Sequence, residues 1–406
     1  MHIIIVGGGY AGLKALERLA RDTTLQITLF DRHPYHYLQT EAYELVGNSC
    51  TVTEVTVDLA ALCYGYGSHV TFRKRGVDAI DFAQQRLEAE GEQYGYDYLI
   101  IAAGSRTFYA PGMEERPPWA HGVKSLAHAL EFRQRFEQQL FERMESEHGV
   151  CDRPFTIVVG GSGLSGVEIA AEIAYRARRF YEENTLLCDN IRICLVGSSE
   201  EILRGMEPWL VERATKRLEG LGVRMLNGTR ISELHEHRVT LSDGETIDYD
   251  FMILTFGIVA STLTRSLGLA LNSKGQILVE KTLQVPGLAS VYAVGDAAEL
   301  RTASGERVPP SAQAAEQSGV RAAENVLAAV RGKAPREAEL KMHGTMIALG
   351  GPWAAVSLFG AVRIDGWLGY RIKRFIYGVY TWPLNRRCRR GAAVAEQKMR
   401  GERSAL

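Results

Sequence analysis

Gly7, Gly9 and Gly12 stand at the spacing of a turn that receives the pyrophosphate of a dinucleotide. That chemistry needs glycine at each place for a different reason. The first allows a tight bend, the second lets the backbone approach the phosphates, and the third lets the next helix pack on its strand with its N-terminus toward the anion. Asp31 follows Gly12 by nineteen residues, the place from which an acid binds ribose hydroxyls. The pattern returns at Gly161, Gly163 and Gly166. There the next strand ends Leu195-Val196-Gly197-Ser198-Ser199, with glycine where the acid would be. NAD is therefore not specified. Ser198, Ser199 and Arg204 are placed to accommodate a 2′-phosphate, and their plainer reading is as ordinary loop residues. Two dinucleotide turns in one chain point to one tightly held flavin and one exchangeable nicotinamide nucleotide.

The elements around these turns repeat as well. His2–Val6 reads as a buried strand, the run from Leu13 to Leu19 as an amphipathic helix, and 26–30 as a second strand. Thr156–Val159, a helix over Val167–Arg178 and the strand Ile191–Val196 reproduce that order. Short antiparallel strands are predicted over 69–101 and again over 223–254. These meanders close on Ala102-Ala103-Gly104 and on Thr255-Phe256-Gly257. The unit thus occurs twice, about 154 residues apart, the strongest organisational signal in the chain. Residues 125–148 read as a charged helix, and a further helix is predicted from Ala312 to about Val330. Gly344–Val362 is the longest uncharged stretch, nineteen residues; Gly350, Gly351 and Pro352 interrupt it, so two strands and a turn are expected rather than a spanning helix.

Composition bounds the rest. A chain of 406 residues, 46% apolar and 23% charged, is two or three folded domains, which excludes dominant disorder and collagen-like or low-complexity architectures. The six cysteines, at 50, 63, 151, 188, 194 and 388, form no CxxC or CxxxxC pair, which removes zinc ribbons and dithiol shuttles and fits a reducing compartment. The first strand begins at His2, so no signal peptide is expected. Net charge is −1, yet residues 363–406 alone carry eleven basic and three acidic side chains, +8, leaving −9 for the remainder.

Together these motifs resemble the two-dinucleotide-fold flavoproteins. The resemblance rests on Gly7–Gly12 with Asp31, Ala102-Ala103-Gly104, Gly161–Gly166 with Thr255-Phe256-Gly257, and Val291-Tyr292-Ala293-Val294-Gly295-Asp296, and it spans residues 1–340. It implies an α/β fold with two Rossmann-like dinucleotide-binding domains, for FAD and for NAD(P)H, of the pyridine nucleotide-disulfide reductase type, plus a C-terminal strand pair and amphipathic helix. The corresponding boundaries are 1–110 and 261–340 for FAD, 111–260 for NAD(P)H, and 341–406 for a membrane-associating or interface region.

Within that family the chain is most similar to type II NADH:quinone oxidoreductases. Ala312-Gln313-Ala314-Ala315-Glu316-Gln317 fits the group's AQxAxQ motif beside quinone and flavin, Gly166-Val167-Glu168 fits its Gly-hydrophobic-Glu, and a basic, aromatic segment ends the chain. The resemblance places FAD on Gly7, Gly9, Tyr10, Ala11, Gly12, Asp31, Arg32, Gln39, Val77, Ala103, Gly104, Gly295, Asp296, Ala312 and Gln313. It places NAD(P)H on Gly161, Gly163, Leu164, Ser165, Gly166, Glu168, Ser198 and Gly257. Glu168, Gln313 and Gln317 become the catalytic candidates, with Glu168 as a proton relay and the two glutamines, one helical turn apart, facing one quinone cavity. No metal is expected. The chain departs from the group at Gly197, at Thr40, where many members have proline, and in its short tail.

The implied reaction passes hydride from NAD(P)H to FAD and two electrons to a membrane quinone, without pumping protons. If Trp367–Trp382 is a helix, Leu368, Ile372, Phe375, Ile376 and Val379 share one face and Arg371, Lys373 and Arg374 fall elsewhere. That composition suits an interfacial helix and a peripheral position on the cytoplasmic face of the inner or plasma membrane. Packing on the body or in a homodimer is the alternative use of the helix. Nucleic acid is not an expected partner, since no recognition module accompanies the charge. Deletion of 363–406 is expected to release the protein from membranes with FAD still bound. The competing readings are a sulfide:quinone reductase, a soluble NAD(P)H-dependent reductase of a carrier protein, and a non-enzymatic flavin-bound sensor.

Overall fold

The computed structural model describes residues 1–109, 116–146, 154–183 and 191–403. Isoleucines at 3, 4 and 5 are all fully buried, which a strand achieves only when both faces of its sheet are covered. His2–Val6 accordingly lies inside a six-stranded sheet. Its neighbours are Gln26–Asp31 and then Val70–Lys74 on one side, Tyr98–Ile101, Leu288–Ala293 and Gln284–Val285 on the other. All pairings are parallel except the last. A second sheet, parallel throughout, has the order Ala120–His121, Phe251–Leu254, Phe155–Gly160, Ile191–Val196, Val223–Leu226. Each unit carries the expected three-stranded meander ahead of its closing strand. The two units are joined by an antiparallel pair, Ser105–Thr107 with Ile258–Ala260.

The helix Ala312–Val330 runs against Tyr10–Leu19. A Cβ at Gly319 would lie 2.1 Å from the Ala11 carbonyl oxygen, so only glycine allows this approach. After it, the expected strand pair gains a third strand. Gly344–Ala348, Ala354–Leu358 and Val362–Ile364 form one antiparallel sheet, because the chain turns back at Phe359–Ala361 instead of leaving.

The terminal helix is longer than the sequence suggests. It runs Gly366–Arg403, continuing through Pro383. Proline removes the amide that would bond the carbonyl four residues back. Here that carbonyl belongs to Val379, and both residues are exposed, so water meets the loss. The helix's inner side is small and polar: Gly369, Lys373, Thr381, Leu384 and Gly391 are buried. Cβ atoms at Gly369 and Gly391 would lie 2.4 Å from the Ala354 oxygen and 1.8 Å from the Ala61 oxygen, so the helix lies directly on the C-terminal sheet at one end and on Leu59–Tyr64 at the other. Its apolar side faces out. Trp367, Leu368, Phe375, Val379 and Trp382 are more than half exposed. Arg371, expected away from that face, stands on it, stacked over Trp367 at 5.6 Å.

Candidate active site

The two glycine turns are built alike. Gly7 has φ +109° and Gly161 φ +114°, a region that side-chain-bearing residues avoid. Cβ atoms there would lie 2.2 Å from the Ala102 oxygen and 2.4 Å from the Thr255 oxygen. Gly12 and Gly166 lie under the turns, where a Cβ would meet the carbonyls of Gly7 and Gly161 at 1.9 and 1.8 Å. Gly9 and Gly163 have open space around them. The first helix begins at Tyr10 with no side-chain cap on Gly9, so its leading amides have no side-chain acceptor there. This cradle of bare backbone and free helix amides fits a pyrophosphate. Asp31 closes the first turn, its carboxylate accepting the Gly8 amide at 2.7 Å and the His33 amide at 2.8 Å. Arg32 beside it is exposed, and Val77 packs against the first unit's core.

Several motifs converge between the units. Gly104 has φ +67° and its carbonyl accepts the Ser261 amide, beside Gly257 at the foot of the second closing strand. A Cβ at Gly295 would lie 3.0 Å from Ala11 Cβ, so this turn approaches the first helix closely. The next residue, Asp296, accepts a hydrogen bond from Ser105. Lys124, which motif reading missed, lies 3.7 Å from the Asp296 carboxylate and donates to Gln39 Oε1 at 2.8 Å. Burial lowers the Lys124 pKa and Asp296 partly offsets this. Thr40 has a partner of its own, Tyr10 OH at 3.0 Å. Tyr10 and the buried His36 pack edge to face, and Tyr380 of the terminal helix reaches His36 Nε2 at 3.2 Å.

Glu168 is the most perturbed carboxyl in this region. Burial raises its pKa to about 7, against the lowering effects of Lys373 and of the Ala348 amide that its Oε1 accepts at 3.0 Å. Glu41 and Glu44 push in the same direction as burial. Lys373 binds both Glu41 oxygens, at 3.0 and 3.2 Å, and donates to Tyr43 OH at 2.9 Å, with 5% of its surface exposed. Burial opposes its charge, but Glu41 and Glu168 more than compensate and hold its pKa above the usual value. Arg374 pairs with Glu44 at 2.9 Å. One turn beyond Glu168, Glu172 accepts Ser49 Oγ at 2.5 Å and the Gly351 amide at 2.8 Å. A cleft of about 250 Å³ opens at Glu44, Ser49, Glu172 and Tyr370. Sequence reading found Glu168 by motif. It missed Glu41 and assigned Lys373 to the outward charge of the tail. The only hint was that Lys373 falls off the apolar face.

The two glutamines do share one side of their helix, yet both amides are engaged. Gln313 bonds the Gly344 carbonyl and the His343 amide, at 2.8 and 3.0 Å, and Gln317 bonds both backbone groups of Lys341, at 2.8 and 2.9 Å. They clamp the segment 341–344 to the helix. Ala312 opens that helix, capped by Ser311, whose side chain accepts the Ala314 amide. The open cleft of about 720 Å³ beside Gln317 is lined by Lys14, Glu17, Arg18, Glu316 and Arg321. Such charged walls do not suit a lipophilic ring.

Two sheets, one parallel throughout and the other parallel but for one edge strand, each with a glycine turn leading into a helix, joined by a strand pair and backed by a buried carboxyl, define a flavin- and nicotinamide-nucleotide-binding oxidoreductase fold. Residues 1–319 match the pyridine nucleotide-disulphide oxidoreductase family, and the chain belongs to it. Among curated proteins, the chain is 29% identical over 395 residues to the demethylphylloquinone reductase NdbB of Synechocystis sp., covering 94% of this chain and 92% of that one. It is 28% identical over 406 residues to the type II NADH:quinone oxidoreductase Ndh of Mycobacterium tuberculosis, covering 93% and 84%. Among solved structures, NDH2 of Plasmodium falciparum in complex with NADH superposes with TM-score 0.83 at 16% identity, covering 96% of this chain and 97% of that one.

Proposed function

We propose that this protein is a flavin-dependent NAD(P)H:quinone oxidoreductase. The observation that carries the reading is a buried carboxyl held near neutrality, Glu168, on the helix that leaves the second dinucleotide turn. When bound, FAD supplies a hydride acceptor and a two-electron donor. The chain's residues supply the rest. The bare backbone at Gly7–Gly12 and the amides from Tyr10 onward hold one pyrophosphate, Gly161–Gly166 with Leu164 and Ser165 the other. Asp296 and Gln39, bridged by Lys124, orient the polar chain between the flavin ring and its phosphates. Quinone reduction consumes two protons, and a carboxyl with a pKa near 7 both holds and releases one at neutral pH. The nearby positive charge of Lys373 stabilises the Glu168 carboxylate after it has lost its proton. Gln313 and Gln317 act as positioning residues, fixing the 341–344 wall.

Membrane attachment belongs to the same proposal. No helix among the described residues is long and apolar enough to cross a membrane. The outward aromatics of the terminal helix, with Arg371, Arg386, Arg389 and Arg390 exposed beside them, suit a peripheral position at an anionic leaflet. The sulfide reading is weakened by the thiols. Burial raises Cys50 and Cys63 to about 12 and Cys388 to about 11, and raises Cys194, so none of these four is activated. Cys151 and Cys188 lie outside the described residues.

The test is to mix the yellow protein anaerobically with NADH, NADPH or sulfide and then add a short-chain quinone. Bleaching by a nicotinamide nucleotide and recovery by quinone is the expected result. Bleaching by sulfide alone, or turnover only with a soluble carrier protein, would replace it.

A further inference from the structure

The near-identity of the two glycine turns allows a residue-by-residue comparison inside one chain. Gly7 donates its amide to the Phe30 carbonyl and Gly161 donates to the Val196 carbonyl, both at 2.8 Å. That register makes Ser162 the counterpart of Gly8, and Gly197 the counterpart of Asp31. In the first turn the middle residue is bare and the strand ends in an acid. In the second turn the two are exchanged. A Cβ at Gly197 would lie 2.0 Å from Ser162 Oγ and 2.5 Å from Ser162 Cβ. The Ser162 side chain therefore fills the volume through which an acid's stem would leave the strand, and it is buried there. The missing acid is a coupled pair of residues, not a single change.

An acid at this position accepts the ribose 2′-hydroxyl and repels a 2′-phosphate. A neutral hydroxyl in its place removes the repulsion. The loop after Gly197 is tied to the turn, since Leu203 donates its amide to the Ser162 carbonyl at 2.8 Å. It presents exposed Ser198 and exposed Arg204, which has no acidic partner among the described residues. Of the two exposed loop acids, Glu200 and Glu201, Glu200 has its carboxylate against Gly228 of the neighbouring strand connection, 3.2 Å from where a Cβ there would be.

We propose that the Ser162–Gly197 pair opens this site to the 2′-phosphorylated nucleotide, so that NADPH is used at least as well as NADH. The proposal rests on the reading that the second turn binds the nicotinamide nucleotide. The test uses the flavin-loaded protein and two readouts. One is calorimetric binding of adenosine 2′,5′-bisphosphate against AMP, which needs no turnover. The other is the rate of anaerobic flavin bleaching by NADPH against NADH. The expected result is tighter binding of the bisphosphate and an NADPH rate equal to or above the NADH rate. A preference for NADH on the order of 100-fold, with AMP the tighter fragment, overturns the proposal and leaves the oxidoreductase reading standing. Binding of neither fragment and bleaching by neither nucleotide overturns both.

The coupling has its own check. Gly197→Glu alone should weaken both fragments through the clash with Ser162. Combining it with Ser162→Gly restores a bare turn residue beside an acid, as in the first turn, and should shift the NADH/NADPH ratio toward NADH by about 100-fold. An equal shift in the single Gly197→Glu variant contradicts the coupled pair. A gain of about tenfold or more in NADPH use by Glu200→Gln makes Glu200 the discriminating acid and ends the proposal.

Discussion

Glu168 joins two properties that pull apart on substitution. In the folded protein it keeps its proton to about pH 7, whereas its usual value is 4.5. The folded state thus binds more protons between those values, so stability falls as pH rises through that window and levels off above it. Glu168→Gln removes the buried charge and keeps an acceptor for the Ala348 amide. It is expected to raise stability at pH 8 by about 2–3 kcal/mol while slowing quinone reduction and flattening its decline above pH 7. Paired melting and turnover profiles read both; unchanged turnover removes the relay. Lys373 is the opposite case. Lys373→Met leaves Glu41 buried without its cation and should cost about 3–5 kcal/mol, most of it recovered in the double variant with Glu41→Gln. Melting temperatures of the two variants decide this, and a single variant as stable as the parent contradicts the pairing.

The terminal helix shows what sequence periodicity can and cannot convey. The apolar stripe from Leu368 to Val379 was legible from spacing alone, and so were both glycine turns and the helix Ala312–Val330. Which way the stripe points was not, because a 3.6-residue period says that two faces differ, not which one meets the body. Inward packing is decided by Gly369 and Gly391 and by acids more than 300 residues away, Glu41 and Glu44, which no local window contains. The charge of the tail divides accordingly. Lys373, Arg374 and Arg363 are paired with Glu41, Glu44 and Glu207, and Arg387 lies over Tyr66 at 4.3 Å, which among the basic side chains described leaves Arg371, Arg386, Arg389 and Arg390 directed outward. Replacing Trp367, Phe375 and Trp382 together by serine should abolish sedimentation with anionic vesicles and leave the melting temperature nearly unchanged, because these side chains touch little of the body. Persistent sedimentation would show that another surface holds the lipid.

At the scale of the whole molecule, the tail is not a detachable anchor. The sequence alone leads one to expect FAD binding to survive deletion of 363–406, but those residues include Lys373 against Glu41, Tyr380 against His36 and Gly391 against the helix Leu59–Tyr64. Truncation after Val362 is therefore expected to lower the melting temperature and loosen the flavin as well as to abolish sedimentation with anionic vesicles. Retention of flavin at full occupancy in the truncated protein would contradict this. The glutamines also read differently once the chain is folded, since their amides meet the backbone of a segment that motif spacing does not place. One helix thus carries exposed aromatics on one side and the cation beside Glu168 on the other. Docked on a leaflet near −30 mV, the protein experiences a proton concentration raised about threefold, so a midpoint near 7 in solution moves alkaline by about half a unit in bulk pH. If the proposed docking holds, the surface potential of the membrane is a variable of the enzyme's pH profile, and the shift should vanish on uncharged vesicles.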